Sequence, residues 1–232
     1  MRANSYGRPR TIRGVHKSGD IEIGTDILAE NRRLANENLK RLRSHGIRSV
    51  DIMGSIGSGK TALIERLAIQ LNRKGIKVAV IAGDVTGQDD CDRFRAVGLP
   101  SVNVNTGKEC HLDAHLIDHA LDNIDLDSLD FLFIENVGNL VCPADFPLGT
   151  DMRLVVISVT EGDDMVRKHP MIFVQADVAV LNKIDLIPHL DVNVERLKRD
   201  YKKIRSDALL NLISVKTGEG LPELLPLLGI QA

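Results

Sequence analysis

The stretch Gly54-Ser55-Ile56-Gly57-Ser58-Gly59-Lys60-Thr61 constrains this chain more than any other. It satisfies every defined position of G-x-x-x-x-G-K-[ST], a loop that belongs between a buried strand and a helix. Both neighbours have the required pattern. Residues 48–53 read as a short buried strand, and over 62–72 Leu63, Ile64, Leu67, Ala68 and Leu71 recur at helical spacing. The glycines leave backbone N–H groups free to close around a polyphosphate, and the helix N-terminus adds partial positive charge there. Gly54, Ser55, Gly57, Ser58 and Gly59 would form that cradle, Lys60 would bridge the β- and γ-phosphates, and the Thr61 hydroxyl would ligate Mg²⁺. The stretch predicts a nucleoside triphosphate site.

A chain of 232 residues suffices for one substantial domain and is too short for two large ones. Strand-like and helical runs alternate along it, which predicts an α/β P-loop NTPase fold: a mostly parallel sheet with helices on both faces. Strands are expected at 77–82, 101–105, 131–134, 154–159, 177–181 and 209–213, and helices at 112–121, 192–205 and 221–228. Residues 1–24 read as a flexible basic arm, 25–46 as a helix packing on the domain with Gly46 as its C-cap, and 47–232 as the nucleotide-binding domain. A net charge of −2 gives no electrostatic case for nucleic acid or an anionic membrane, and 3% aromatic residues give no base-stacking surface. No apolar run reaches bilayer length, and the N-terminus lacks a signal-peptide pattern, so the expected location is the cytoplasm. Three cysteines in such a chain point to metal or thiol chemistry rather than a disulfide framework.

The candidate catalytic residues fall at strand ends, where this fold binds ligands. Asp84 closes the strand after the P-loop helix, and it would hold a metal-bound water at Mg²⁺, with Asp89 beside it; the alternative is a turn Asp capping the next helix. Glu135 and Gly138 reproduce the D-x-x-G switch spacing with Glu in place of Asp. Lys60, Asp84 and Glu135 are therefore the expected catalytic set. Asn182-Lys183-Ile184-Asp185 fits N-K-x-D. The Asp185 carboxylate can accept both the N1–H and the exocyclic amine of guanine, whereas adenine offers no such donor pair. Ser214-Val215-Lys216 resembles the S-A-K guanine loop with Val for Ala. Three motifs in the right order predict GTP.

Cys110, His111 and Cys142 remain. Thiolate and imidazole suit Zn²⁺ or Ni²⁺, and three ligands per chain invite sharing across a two-fold axis. Cys142 lies just beyond the switch motif, so a metal there would feel the γ-phosphate state. Buried free cysteines are also ordinary packing residues, and Cys91 is read as one.

Several long motifs carry a family resemblance: Gly83-Asp84-Val85-Thr86, Thr106-Gly107-Lys108-Glu109-Cys110-His111-Leu112-Asp113-Ala114, Glu135-Asn136-Val137-Gly138-Asn139-Leu140-Val141-Cys142-Pro143 and Ser158-Val159-Thr160-Glu161-Gly162-Asp163-Asp164. From about Val50 onward the chain resembles the hydrogenase nickel-incorporation GTPases of the HypB type. The resemblance implies a GTP-dependent homodimer that helps insert nickel into [NiFe]-hydrogenase, acting with the hydrogenase large subunit and other nickel-accessory proteins. It also implies that Cys110, His111 and Cys142 bind Zn²⁺ or Ni²⁺ at the dimer interface. Some members carry an additional N-terminal Cys cluster or His-rich tract, whereas residues 1–47 here contain no Cys and only His16 and His45. Nickel would then pass through Cys110, His111 and Cys142 or come from a partner.

His111, His115 and His119 share one helix face, as a metal relay or as support and solvated surface. Asp163 and Asp164 would cap a helix or help a dimer partner engage nucleotide. No glutamine follows the switch and no arginine finger is identifiable, so slow intrinsic turnover is expected. The rival readings are a urease-type nickel-accessory GTPase, whose C-P-H motif is here Cys142-Pro143-Ala144, and a nickel or zinc carrier whose GTP is only structural.

Overall fold

The computed structural model describes residues 18–230, so positions 1–17 of the arm expected at 1–24 lie outside the described residues. The elements run α1 (Ser18–Ser44), β1 (Arg48–Gly54), α2 (Lys60–Arg73), β2 (Val78–Asp84), α3 (Asp89–Ala96), β3 (Ser101–Asn105), α4 (Ala114–Leu121), β4 (Phe131–Glu135), β5 (Met152–Ser158), α5 (Met165–Lys168), α6 (Pro170–Gln175), β6 (Val178–Asn182), α7 (Val194–Ile204), β7 (Leu210–Leu212) and α8 (Leu221–Leu227). The seven strands form one sheet in the order β3-β2-β4-β1-β5-β6-β7, with every pairing parallel.

Period-two alternation builds the layers. In β4, Phe131 and Phe133 join Val50, Ile52, Val78 and Val80 under α2, α3 and α8. Leu132 and Ile134 face the other way, joining Ala79 and Ile81 under α1 and α4. A third cluster, with Val155, Ile157, Ala179 and Leu181, lies under α5, α6 and α7. The five inner strands, β2, β4, β1, β5 and β6, are thus covered on both faces, as a parallel sheet requires, while the edge strands β3 and β7 are only half-buried. Each fully buried Leu, Ile or Phe contributes about 1.5–3 kcal/mol.

Helix α1 begins at Ser18 rather than at residue 25, since one interior glycine (Gly24) costs only about 1 kcal/mol and does not end a helix. Its C-terminus is closed by Gly46 at φ 72°, with Ile47 N–H donating to Leu42 O and Gly46 N–H to Arg43 O, both at 3.0 Å. Buried amides fasten α1 to the domain. Asn38 Nδ2 donates to Ala114 O at 2.8 Å and Leu148 O at 3.1 Å, while Asn31 accepts from Ala114 N–H at 2.8 Å and donates to Pro147 O at 2.9 Å. Gly149 makes this approach possible: at φ 90° it lies so close to Ala35 O that a Cβ would come within 2.1 Å. Helices α5 and α6 carry no long stripe; Pro170 divides them, and burial of Val166, Ile172 and Phe173 holds them in place. Among the described residues no helix is long and apolar enough to cross a membrane.

Candidate functional site

The phosphate loop joins β1 to α2 beneath a cavity of about 510 Å³ lined by Gly57, Gly59, Lys60, Thr61, Asp84, Asp90, Glu135, Gly138 and Lys183, among others. Gly59 holds φ 99°, and a Cβ there would come within 2.3 Å of Asn182 Nδ2. Only glycine admits both the turn and that contact. Lys60 is buried, and its Nζ donates to Gly54 O at 3.3 Å and Ser55 O at 3.1 Å. Burial pulls the ammonium below its ordinary pKa, opposed by Glu135 and Asp90.

Thr61 Oγ1 lies 2.8 Å from Glu135 Oε1 and 2.9 Å from Asp90 Oδ1. One hydroxyl has one proton to give, so two ionised carboxylates cannot both be satisfied by it. Burial pushes the Glu135 carboxyl up to about 7 against the pull of Lys60, with Asp90 adding to the rise. Glu135 Oε2 is buried without a hydrogen-bond partner. A cluster of hard oxygens that is short of protons fits Mg²⁺, which takes hydroxyl, carboxylate and water ligands.

The expectation for Asp84 shifts here. Asp84 lines the cavity, but its Oδ1 accepts from Val85 N–H at 2.6 Å, and the carboxylate folds over its own turn towards Gly87. Asp90, in the first turn of α3, meets Thr61 instead. Asp90 carries no motif of its own; only the packing of α3 beside α2 discloses it.

The guanine loops converge as expected from their order. Asn182 Nδ2 donates to Ser58 O at 2.9 Å, and its Oδ1 accepts from Val215 N–H at 3.2 Å. Lys183 adopts φ 63°, the left-handed region costly for a side chain, and its Nζ donates to Gly57 O at 2.7 Å. Ser214 Oγ donates to Asp185 Oδ1 at 2.6 Å, and Lys216 Nζ stands 4.0 Å from Asp185 Oδ2. Asp185 keeps a carboxylate edge for a base, held from behind by the Ser214–Lys216 loop.

Cys110, His111 and Cys142 also come together, all three donor atoms lying within 4.8 Å of one another. The two Sγ atoms are 2.8 Å apart, and Cys110 Sγ is 4.0 Å from His111 Nδ1. Two thiolates on one tetrahedral ion with bonds of about 2.3 Å would stand about 3.7 Å apart, so a small opening of the loops admits Zn²⁺ or Ni²⁺. Burial lowers the His111 pKa, which favours the neutral imidazole that metals bind, and the ring rests on Phe146 with centroids 3.9 Å apart. Hydrogen bonding to Cys142 raises the Cys110 thiol, so metal binding releases protons.

Side chains given no role by the sequence hold this corner. Asn136, buried, accepts from Leu112 N–H at 3.2 Å and donates to Asp51 at 3.1 Å. Arg153 pairs with the buried Asp51 at 3.5 Å and donates to Ala144 O at 3.3 Å and to Pro143 O, just past Cys142. Burial raises the Asp51 carboxyl while Arg153 opposes the rise. Cys91 is fully buried on the inner face of α3, as a packing residue would be. His115 and His119 are exposed with their rings 4.5 Å apart. Asp164 occupies the N-cap position of α5 and pairs with Lys168 at 2.8 Å, while Asp163 pairs with Arg196 at 2.9 Å.

A parallel sheet, a phosphate loop and an N-K-x-D loop tied to it define a P-loop nucleotide-binding domain of the GTPase type. The chain belongs to the CobW/HypB/UreG family, whose nucleotide-binding domain matches residues 49–211, and within that family to the HypB proteins. It is 52% identical over 211 residues to HypB of Methanocaldococcus jannaschii, covering 91% of this chain and 95% of that one. The crystal structure of the hydrogenase maturation factor HypB from Archaeoglobus fulgidus superposes with a TM-score of 0.80 at 47% identity, covering 87% of this chain and 98% of that one. HypB from Helicobacter pylori in complex with nickel superposes with a TM-score of 0.81 at 37% identity, covering 86% and 93% respectively.

Proposed function

We propose that this chain is a GTP-hydrolysing metallochaperone that assists nickel insertion into [NiFe]-hydrogenase. The observation that carries the reading is the convergence of Cys110 and His111 with Cys142, whose loop is contiguous with the Glu135–Gly138 switch. Nickel is its cargo, held by soft donors at the surface, and Zn²⁺ suits the same donors. GTP is its fuel. Gly57, Gly59 and Lys60 hold the phosphates, while Asn182, Lys183, Asp185 and the Ser214–Lys216 loop hold the base. Thr61, with Asp90 and Glu135 behind it, would hold Mg²⁺, which when bound neutralises charge on the β- and γ-phosphates.

Hydrolysis withdraws the γ-phosphate contacts of the switch loop and so alters the Cys142 segment. The switch segment Glu135–Gly138 is followed by no glutamine to position an attacking water, which supports slow turnover. Three donors leave a tetrahedral ion one ligand short, and exposed apolar residues flank the junction, Ile56 at 85% and Val141 at 59% exposure. Both features support a GTP-dependent homodimer in which a second copy meets the site. The partners are the hydrogenase large subunit and other nickel-accessory proteins, encountered in the cytoplasm.

The test is anaerobic gel filtration with nickel and a non-hydrolysable GTP analogue, reading metal per protomer and mass for wild type and Cys142→Ala. Nickel that accompanies a nucleotide-dependent dimer and disappears in the variant supports the reading. Nickel retained by the variant overturns the metal site. Rapid hydrolysis unaffected by Lys60→Ala overturns the GTPase mechanism.

A further inference from the structure

The phosphate loop and the Cys/His corner meet at Asn139. Its backbone N–H donates to the Gly54 carbonyl at 3.0 Å, forming an isolated antiparallel bridge with the first residue of the phosphate loop. Its side-chain Nδ2 donates to the Cys110 carbonyl at 3.2 Å. Its Oδ1 accepts from the N–H of Val141, the residue before Cys142, at 2.8 Å. One amide therefore brackets both thiol-bearing segments while its own backbone rides on the nucleotide cradle. The preceding residue leaves no slack: a Cβ on Gly138 would lie 2.3 Å from Ile56 Cγ1 and 3.0 Å from Ile56 N.

The Gly54 carbonyl serves two donors, Asn139 N–H and Lys60 Nζ, the latter at 3.3 Å. A bound triphosphate draws the lysine towards its β- and γ-oxygens, a charge-assisted contact stronger than one to a neutral carbonyl. The Gly54 carbonyl is then left to Asn139. At the far end, the sulfurs of Cys110 and Cys142, now 2.8 Å apart, must separate by roughly 1 Å to share a tetrahedral ion. Asn139 holds one sulfur-bearing residue by its carbonyl and the other through the preceding N–H, so a shift of the loop beneath it alters their spacing.

We propose that Asn139 is the positioning residue through which the state of the nucleotide sets the spacing of Cys110 and Cys142, and with it the affinity for a soft divalent cation. The proposal rests on the reading of Cys110, His111 and Cys142 as the metal site, and it names the contact that couples this site to the phosphates. Coupling between two ligands is reciprocal, so it is read from both affinities.

The experiment titrates nickel(II) into the full chain loaded with GDP or with a non-hydrolysable GTP analogue, following thiolate-to-nickel charge-transfer absorbance. Nucleotide affinity is measured in parallel with and without nickel. In wild type the nickel affinities in the two nucleotide states should differ by about 5–150-fold, and nickel should shift the nucleotide preference by the same factor. Asn139→Ala should bring both ratios within about twofold of unity while nickel still binds and nucleotide affinity without metal is retained. Asn139→Asp keeps the acceptor for Val141 N–H but removes the donor to Cys110. It should also lose the coupling, and it carries the test if the alanine variant does not fold.

A wild-type ratio near unity overturns the proposal, as does a wild-type ratio preserved in both variants. Loss of nickel binding in both nucleotide states on substitution also overturns it, since Asn139 would then merely support the site. Absence of nickel binding in wild type would instead refute the metal reading on which the proposal stands.

Discussion

The nucleotide site and the Cys/His corner are neighbours built on opposite principles. The nucleotide site is assembled from strand ends: Ser58, Lys60, Asn182 and Ser214 are all buried, and the Asn182 side chain ties together Ser58 and Val215. The Cys/His corner stands on loops, with Cys110 exposed and His111 and Cys142 only half-buried. Its geometry is held at one remove, by Asn136, Asn139 and Arg153 acting on backbone groups. A rigid cradle suits a ligand that must be recognised in detail, whereas a surface pair of thiols suits a cargo that must be released.

The largest test of this contrast is Asp185→Asn. It removes the charged acceptor for the guanine N1–H and amine, and GTP affinity should fall by about 10²–10⁴-fold while xanthosine triphosphate gains, read by competitive titration. Unchanged GTP binding would show that the cradle is less specific than its construction suggests. Next is Cys142→Ala. Nickel affinity should drop by about 100-fold or more while GTP affinity stays within about threefold, since the cradle does not need the thiol. An equal loss of both would erase the distinction between the sites.

A pH series sharpens the comparison from the nucleotide side. With Mg²⁺ and nucleotide removed, Glu135 titrates near 7 in the folded protein against its ordinary 4.5. A carboxyl raised by folding contributes stability that is full below its unfolded pKa and is lost as pH rises through the folded one. Between about pH 5 and pH 7.5 this costs roughly 2 kcal/mol. Denaturant melts of wild type and Glu135→Gln should therefore diverge, with the wild type losing stability relative to the variant as pH rises. The smallest effect belongs to Asn38→Ala, which removes two hydrogen bonds to buried carbonyls. It should lower stability by about 1–2 kcal/mol in denaturant melts with GTP affinity retained.

The same contrast explains how much was legible in the sequence. The cradle is written in contiguous residues whose spacing is dictated by a phosphate chain and a purine edge, so Gly54–Thr61 and Asn182–Asp185 could be read directly. The sheet followed from short apolar runs that only burial on both faces explains. Cys110, His111 and Cys142 were visible as donor types, but their convergence depends on two loops 32 residues apart. Asp90 and Arg153 had no comparable signature, and Asn139 stood inside a long motif that gave it no role of its own. Each acts on a backbone group or hydroxyl supplied by another segment, and an isolated Asp, Asn or Arg looks the same whether it caps a turn or joins a network. Helices α5 and α6 were missed because four- and six-residue helices are too short to show a period.

The sheet order has a consequence for the birth of the molecule. The strand that leads into the phosphate loop, β1, is the first to be synthesised, yet its two neighbours are β4 and β5. Those strands end at Glu135 and Ser158, so at about 5–20 residues per second the ribosome delivers the second partner roughly 5–20 s after Gly54. Throughout that interval Val50, Ile52 and Met53, wholly buried in the finished protein, have no completed sheet to enter. GTP cannot rescue the nascent chain early, because the cradle itself waits for Asn182 at the end of β6. A growing cell must keep this segment from associating with others until two-thirds of the chain has emerged.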